Sequence, residues 1–282
     1  MSDSLEGKVA LITGGSQGIG RAVATALAQK GMHLILVARS ADKLELAAEE
    51  LRKSGVRVLT VPTDVSKRAD LERLVAAAVA EFGRIDVLVN NAGIEAFRAF
   101  HEIPVEQIEA TIATNTVGAI VLTRLVIPVM QKQGWGRIIN MSSTAALMAP
   151  PYGATYAATK ASLLQFTMAL RLEYAGSGIS ATAICPGFTD DGGIYEHIKT
   201  EMGRRVPWIM RGTTAQVVAK RVIQALRTDP PRIVVERPGL RVFMALAHIF
   251  PRFGEWFTHK LATRFFRKLA TKRVEGQSQP PQ

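Results

Sequence analysis

Seven short, mostly apolar runs recur along the chain, with helix-patterned segments between them. The runs are KVALIT (8–13), HLILVAR (33–39), RVLTVPTD (57–64), IDVLVNNAG (85–93), RIINMSS (137–143), ISATAICPG (179–187) and RIVVE (232–236). A strand that does not alternate polar with apolar is covered on both faces. Strands that alternate with helices pair in parallel through right-handed crossovers. The intervening helices are legible too. GIGRAVATALAQKG stops at Gly31. ADKLELAAEELRKSG (41–55) carries acids early, bases late and Gly55 behind them, as the helix dipole prefers. Further helical patterns run over 67–83, from Pro104 to about 131, over 152–176 and over 213–226. The expectation is an α/β fold: a doubly wound parallel sheet of seven strands with helices on both faces, in one domain over 1–236.

Composition narrows the function classes. The 282 residues are 48% hydrophobic and 21% charged, an ordinary globular balance. A single cysteine, Cys185, rules out an internal disulfide and reads as a small buried residue in a reducing compartment. The five histidines are scattered with no metal-ligand spacing, so no metal site is expected. The start, MSDSLEGKVALIT, lacks the basic stretch and apolar core of a secretory signal. No uncharged apolar segment reaches the ~18 residues of a membrane-spanning helix. A cytoplasmic protein is expected.

Between the first strand and first helix lies TGGSQGIG (13–20). Gly14, Gly18 and Gly20 let backbone N–H groups approach a phosphate at a helix N-terminus, and Ser16 and Ile19 belong to the same turn. Such a turn by itself also serves as a tight strand-to-helix connection. Its place after the first strand of a βαβ unit points to a dinucleotide. In such folds an acid at the end of the second strand holds the ribose hydroxyls of NAD. Here Ala38 takes that place and Arg39 follows, so a 2′-phosphate can be paired and no carboxylate repels it. NADP(H) is therefore favoured, with NAD(H) as the alternative and a solvated arginine as the plain reading. Asp64, followed by Val65, is placed either to meet the adenine amino group or to cap the next helix.

TGGSQGIG, NNAG (90–93), Asn115, Ser143, Tyr156-x-x-x-Lys160 and Pro186-Gly187 occur in an order that resembles the short-chain dehydrogenase/reductase family over about residues 5 to 190. The resemblance implies a Rossmann-type fold, a nicotinamide cofactor and a carbonyl/alcohol substrate. It implies Tyr156 as proton donor or acceptor, Ser143 as the hydrogen bond to the substrate oxygen, and Lys160 as the ribose contact. Asn115 would bend its helix and anchor a relay water; its plain reading is a polar spot on an exposed face. Tyr156 and Lys160 sit one helical turn apart. A free phenol titrates near 10, and a neighbouring ammonium should lower that value. Tyr152 has no lysine four residues on and reads as pocket lining or packing. Ser143, not Ser142, lies thirteen residues before Tyr156, and Ser142 is read as structural. Asn91, Ala92 and Gly93 would lie against the adenosine side, with Asn90 tying strands together. The family often has threonine five positions after the proline; here Asp191 stands there, and Thr189 is the substitute contact. Helix pairing in the family implies a homodimer or homotetramer through 104–131 and 152–176.

The net charge of +11 is concentrated late in the chain. Residues 237–273 hold nine Lys/Arg, one acid (Glu255) and seven Phe/Trp. In PRFGEWFTHKLATRFFRKLATKR, Phe253, Phe257, Leu261 and Phe265 recur every four residues beside Trp256, with Arg252, Lys260, Arg264, Arg267 and Lys268 interleaved. A basic aromatic amphipathic helix suits an anionic membrane surface. Its apolar face suits equally a lid over the substrate cleft or a partner subunit. No nucleic-acid motif accompanies these bases, so nucleic acid is not an expected partner. VFMALAHIF (242–250) is too short to span a bilayer, and the polar, Pro-rich 274–282 reads as disordered. The expectation is an NADP(H)-dependent oxidoreductase of an apolar steroid, retinoid-like or fatty-acyl substrate. Its rivals are a catalytically quiet cofactor-binding sensor or scaffold, and a membrane-surface protein acting through its extension.

Overall fold

The structure is a computed structural model that describes residues 4–95, 97–189, 212–261, 263, 266–268 and 270. Seven parallel strands form one sheet: β1 (Val9–Thr13), β2 (His33–Ala38), β3 (Val58–Pro62), β4 (Val87–Asn90), β5 (Gly136–Met141), β6 (Ile179–Pro186) and β7 (Arg232–Val235). Their spatial order is β3-β2-β1-β4-β5-β6-β7. The helices between them are α1 (Gly18–Ala28), α2 (Ala41–Arg52), α3 (Arg68–Phe82), α4 (Val105–Ile112), α5 (Gly118–Gln133), α6 (Ala154–Glu173) and α7 (Ala215–Thr228). The doubly wound fold expected from the apolar runs is the one observed.

The absence of polar alternation in the strands is explained by two cores. On β1 and β2, Ala10, Ile12, Leu34 and Leu36 pack toward α1, α2 and α7. Val9, Leu11, Ile35 and Val37 pack on the opposite face with α3 and α5 residues such as Leu71, Leu122 and Val126. The β1–β4 junction is clamped at its base. Asp86, fully buried, accepts from Val9 N at 2.9 Å and takes a forked bond from Arg84 at 2.8 and 2.6 Å. Strand order switches between β1 and β4, so the connections leaving these two parallel strands run toward β2 and β5 on opposite sides and open a crevice at their carboxyl ends. Ligands bind at such a switch point in doubly wound sheets.

The long helix expected over 104–131 is interrupted. Ala113–Val117 forms a π-type turn between α4 and α5, and Asn115 sits within it, 1% exposed. Among the described residues, Val105–Gln133 is the one helix long and apolar enough by length and composition to cross a membrane. Here it packs against α3 and α6. After β7 the described residues include α8 (Pro238–Ile249) and α9 (Pro251–Leu261), separated at Phe250 before Pro251. Asp191, the side chains of Leu261, Arg264 and Phe265, and the segment 274–282 lie outside the described residues.

Candidate active site

The turn from β1 to α1 is held open by glycine geometry. Gly14 and Gly18 have φ of +67° and +55°, and a Cβ on Gly20 would collide with the Gly14 carbonyl oxygen. The turn is braced from β4. Thr13 Oγ1 accepts from the backbone N–H groups of Asn91 (2.9 Å) and Ala92 (3.0 Å), and Asn91 Nδ2 donates to Thr13 O at 2.9 Å. The α1 N-terminus carries neither a side-chain cap nor an acid in its first turn, so its amides and dipole are available to an anion. Gly14, Ser16, Gly18 and Ile19 line a cleft of about 600 Å³ that continues past Asn91, Ala92 and Gly93 to Pro186, Gly187 and Thr189. Gly20 stands behind the turn, and Thr189 Oγ1 donates to Gly187 O at 3.2 Å.

At the other end of this cleft, β2 delivers Ala38, Arg39 and Ser40, and Lys43 follows from α2. Ser40 caps α2 by accepting from Lys43 N at 3.4 Å. Asp64 and Val65 line the same end. The Asp64 carboxylate does not cap α3, whose first turn follows Lys67 without a side-chain cap. It accepts from Ser66 Oγ (2.7 Å) and Ser66 N (3.0 Å), which hold its pKa below the usual carboxylate value.

Of the four residues expected to act chemically, Ser143, Tyr156 and Lys160 line the cleft, and Asn115 lies behind it against Gly93. Ser143 follows β5, and its Oγ donates to Pro186 O at 3.4 Å. Tyr156 and Lys160 project from the first turns of α6 and both line the cleft. Asn115 Oδ1 accepts from Ile94 N, and its Nδ2 donates to Ile94 O, each at 2.8 Å, and to Thr159 Oγ1 at 3.1 Å. It is therefore not a polar spot on an exposed face. A Cβ on Gly93 would lie 3.3 Å from Asn115 Oδ1 and 3.4 Å from Lys160 Nζ, so these groups converge on one glycine. Neighbouring readings also hold. Ser142 Oγ donates to Lys160 O at 2.7 Å, a structural bond. Asn90 Nδ2 ties β4 to Asn140 (2.8 Å) and Thr123 (2.9 Å). Cys185 is fully buried, and burial pushes its thiol up to about 11.

A short chain dehydrogenase family model matches residues 8–202. The chain belongs to that family. The ketoacyl reductase HetN of Nostoc sp. is 31% identical over 281 residues, covering 96% of each chain. Among solved structures, NAD+-bound xylitol dehydrogenase superposes with a TM-score of 0.76 at 26% identity, covering 83% of this chain and 99% of that one. A single-substitution variant of actinorhodin polyketide ketoreductase with NADPH gives 0.75 at 30%, covering 81% and 95%. The short-chain dehydrogenases are nicotinamide-dependent oxidoreductases of hydroxyl and carbonyl groups, and this chain is one of them. The glycine cradle, the uncapped helix end and the continuous cleft fit such a cofactor.

The tyrosine's electrostatics differ from the expectation. Burial pushes the Tyr156 phenol up to about 12; a hydrogen bond with Ser143 works against this and the Glu95 carboxylate reinforces it. Lys160 does not offset the effect. Its Nζ donates to Met141 O at 2.9 Å, stands 5.7 Å from the Tyr156 ring centre, and is brought down to about 8 by its own burial. Desolvation outweighs a charge that is itself desolvated.

The inner face of the extension lies over the cleft. Leu240 and Met244 from α8, Phe257 and Thr258 from α9, and Phe266 beyond it line the cavity. Phe266, 2% exposed, stacks on Phe97 (5.5 Å) and Phe188 (6.2 Å), and Phe97 stands 5.8 Å from the Tyr156 ring. Tyr152 packs rather than lining the cleft: it holds φ +64° and its hydroxyl accepts from Arg267 Nε at 3.2 Å. Sequence reasoning missed Lys43, Glu95, Phe97 and Glu236. The first lies four residues past Arg39, and Glu95 and Phe97 closely follow NNAG. Glu236 is an acid ending a strand at the sheet's ligand-binding edge. Its carboxylate sits where a Cβ on Gly187 would be, and burial raises its pKa.

The Lys160 ammonium carries a burial cost with a defined pH dependence. Its folded pKa of about 8 lies below the ordinary 10.5. Between those values the unfolded chain binds more protons, so stability rises with pH across that window. Lys160→Met should therefore stabilise the cofactor-free protein at pH 7, on the order of 2 kcal/mol after the lost Met141 bond is counted. The gain should fade as pH climbs through 8 toward 10. Urea unfolding of both proteins across pH checks this; a less stable variant at pH 7 would contradict it.

Proposed function

We propose that this protein is an NADP(H)-dependent oxidoreductase that interconverts a carbonyl and an alcohol on an apolar substrate. The observation that carries the reading is the convergence of Ser143, Tyr156 and Lys160 on one cleft, with Asn115 behind Gly93 on its wall, a glycine cradle at one side and Arg39 with Lys43 at its end. Arg39 and Lys43 would pair a 2′-phosphate, and no carboxylate occupies the end of β2. The amides of the Gly14–Gly20 turn would hold the pyrophosphate. Asp64 and Val65 would bound the adenine, and Asn91, Ala92 and Gly93 the adenosine. Pro186, Gly187 and Thr189 would bound the nicotinamide end.

A nicotinamide cofactor held by these residues would supply or accept the hydride and, when oxidised, would bring positive charge into the cleft. Tyr156 donates a proton to the substrate oxygen in reduction and takes one back in oxidation. With its pKa at about 12 in the polypeptide alone, the phenol stays protonated, the state a reductive proton donor needs. Ser143 donates a hydrogen bond to the developing oxyanion. Lys160 holds the ribose, and Asn115 positions the backbone at Ile94 beside it. The wall of Phe97, Phe188, Met244, Phe257 and Phe266 supports an apolar steroid, retinoid-like or fatty-acyl substrate. In this reading residues 1–236 form the catalytic unit and 237–273 its roof. The exposed Ile112, Val117 and Leu172 of the α4–α5 and α6 surface support pairing of two copies there.

Tyr156→Phe should lower turnover of a ketone panel at least ~10³-fold while NADPH affinity changes little; retained turnover would remove Tyr156 from the chemistry and reopen the sensor reading. The parent should bind NADPH more tightly than NADH, and Arg39→Ala should erase roughly tenfold or more of that preference. Equal parent affinities by calorimetry would reject the NADP(H) assignment. Leu172→Glu should shift the sedimentation coefficient toward the monomer; an unchanged value would place the pairing elsewhere.

A further inference from the structure

Helix α8 is apolar on two opposite sides. Leu240, Phe243, Met244 and Ala247 recur at helical spacing on the inner side, where Met244 is 4% exposed. Val242, Ala245, Leu246 and Ile249 recur at the same spacing on the outer side, where Val242 is 61% and Ile249 67% exposed. A helix that is apolar all round is ordinarily buried in protein or in lipid. This one is covered on one side only. Phe250 at the junction and Trp256 on α9 are exposed as well (59% and 57%), while Phe253 packs on Phe243. Gly254, at the crossing, lets the helices approach closely, since a Cβ there would stand 2.7 Å from Ala247 Cβ.

The charge around this patch has one dominant sign. Arg241, Arg252 and Lys260 are exposed beside it, with Lys260 Nζ 5.1 Å over the Trp256 ring; Glu255 is the sole acid of α8 and α9. At twelve residues α8 is too short to cross a bilayer, and this composition suits a helix lying in the headgroup plane. Exposed tryptophan and long basic side chains favour the same depth, ring at the boundary and cation in the phosphates.

We propose that the outer face of α8 and α9 docks on an anionic lipid surface. The element then has two seats: its inner side walls the cleft and its outer side meets the bilayer. A lipophilic substrate would reach Tyr156 from the membrane through this roof, a consequence that rests on the activity proposed above, whereas the docking does not.

The full chain is sedimented with vesicles of phosphatidylcholine alone and of phosphatidylcholine mixed with phosphatidylglycerol. Binding is expected to the mixed vesicles, at least ~10-fold weaker to the neutral ones, weakening with salt and accompanied by a blue shift of tryptophan emission. Val242→Glu combined with Ile249→Glu should reduce this binding at least ~10-fold with the unfolding temperature unchanged, because both side chains face outward. No vesicle binding, equal binding to both compositions, or binding untouched by the double substitution would each overturn the proposal. So would a dimer that the double substitution dissociates in the absence of vesicle binding, which would make the face an interface between copies. None of these readouts uses turnover, so the docking can fail or stand separately from the catalytic reading.

Discussion

The site depends on the brace between β1 and β4. Where the two strands part, the Thr13 carbonyl at the end of β1 and the backbone N–H groups of Asn91 and Ala92 after β4 lie beyond the β1–β4 pairing. The Thr13 hydroxyl and the Asn91 amide take up that bonding. This keeps the glycine turn open and fixes the crevice at the carboxyl edge of the sheet. The clamp at Asp86 does the same at the opposite edge, so the two strands cannot slide apart. The remaining cleft residues are carried on elements that pack against this pair.

A second constraint is electrostatic. The polypeptide does not make Tyr156 a strong acid by placing an ammonium against it. It buries Lys160 with its Nζ turned toward the Met141 carbonyl, desolvates the partly exposed Tyr156 and leaves the phenol protonated. The same desolvation costs stability at Lys160 in the polypeptide alone. The Glu95 carboxylate adds to the rise of the Tyr156 phenol, and burial raises the Glu236 carboxyl as well.

The extension after β7 changes what the fold encloses. Without Met244, Phe257 and Phe266, the cleft above Tyr156 would lose an apolar wall. With them, an aromatic stack runs from Phe97 through Phe266 to Phe188 beside Tyr156. The Arg267–Tyr152 bond ties this roof to the loop leading into α6, where Tyr152 holds an unfavourable positive φ. The extension and α6 thus share one anchoring segment.

By itself the sequence determined the sheet and its family. The apolar runs have period and length that permit only doubly covered parallel strands, and TGGSQGIG, NNAG and YAATK are local signals whose order along the chain survives folding. The close agreement of strand limits, from KVALIT at β1 to RIVVE at β7, follows from that locality. The π-turn at Asn115, the rise of the Tyr156 pKa and the roles of Glu95, Glu236 and the two apolar sides of α8 were decided by tertiary structure. Each depends on which distant group comes to lie alongside: Ile94 against Asn115, apolar cleft against phenol, Gly187 against Glu236, Phe97 against Phe266. Burial and Coulomb energies are set by three-dimensional neighbours, and no spacing within the chain encodes them directly.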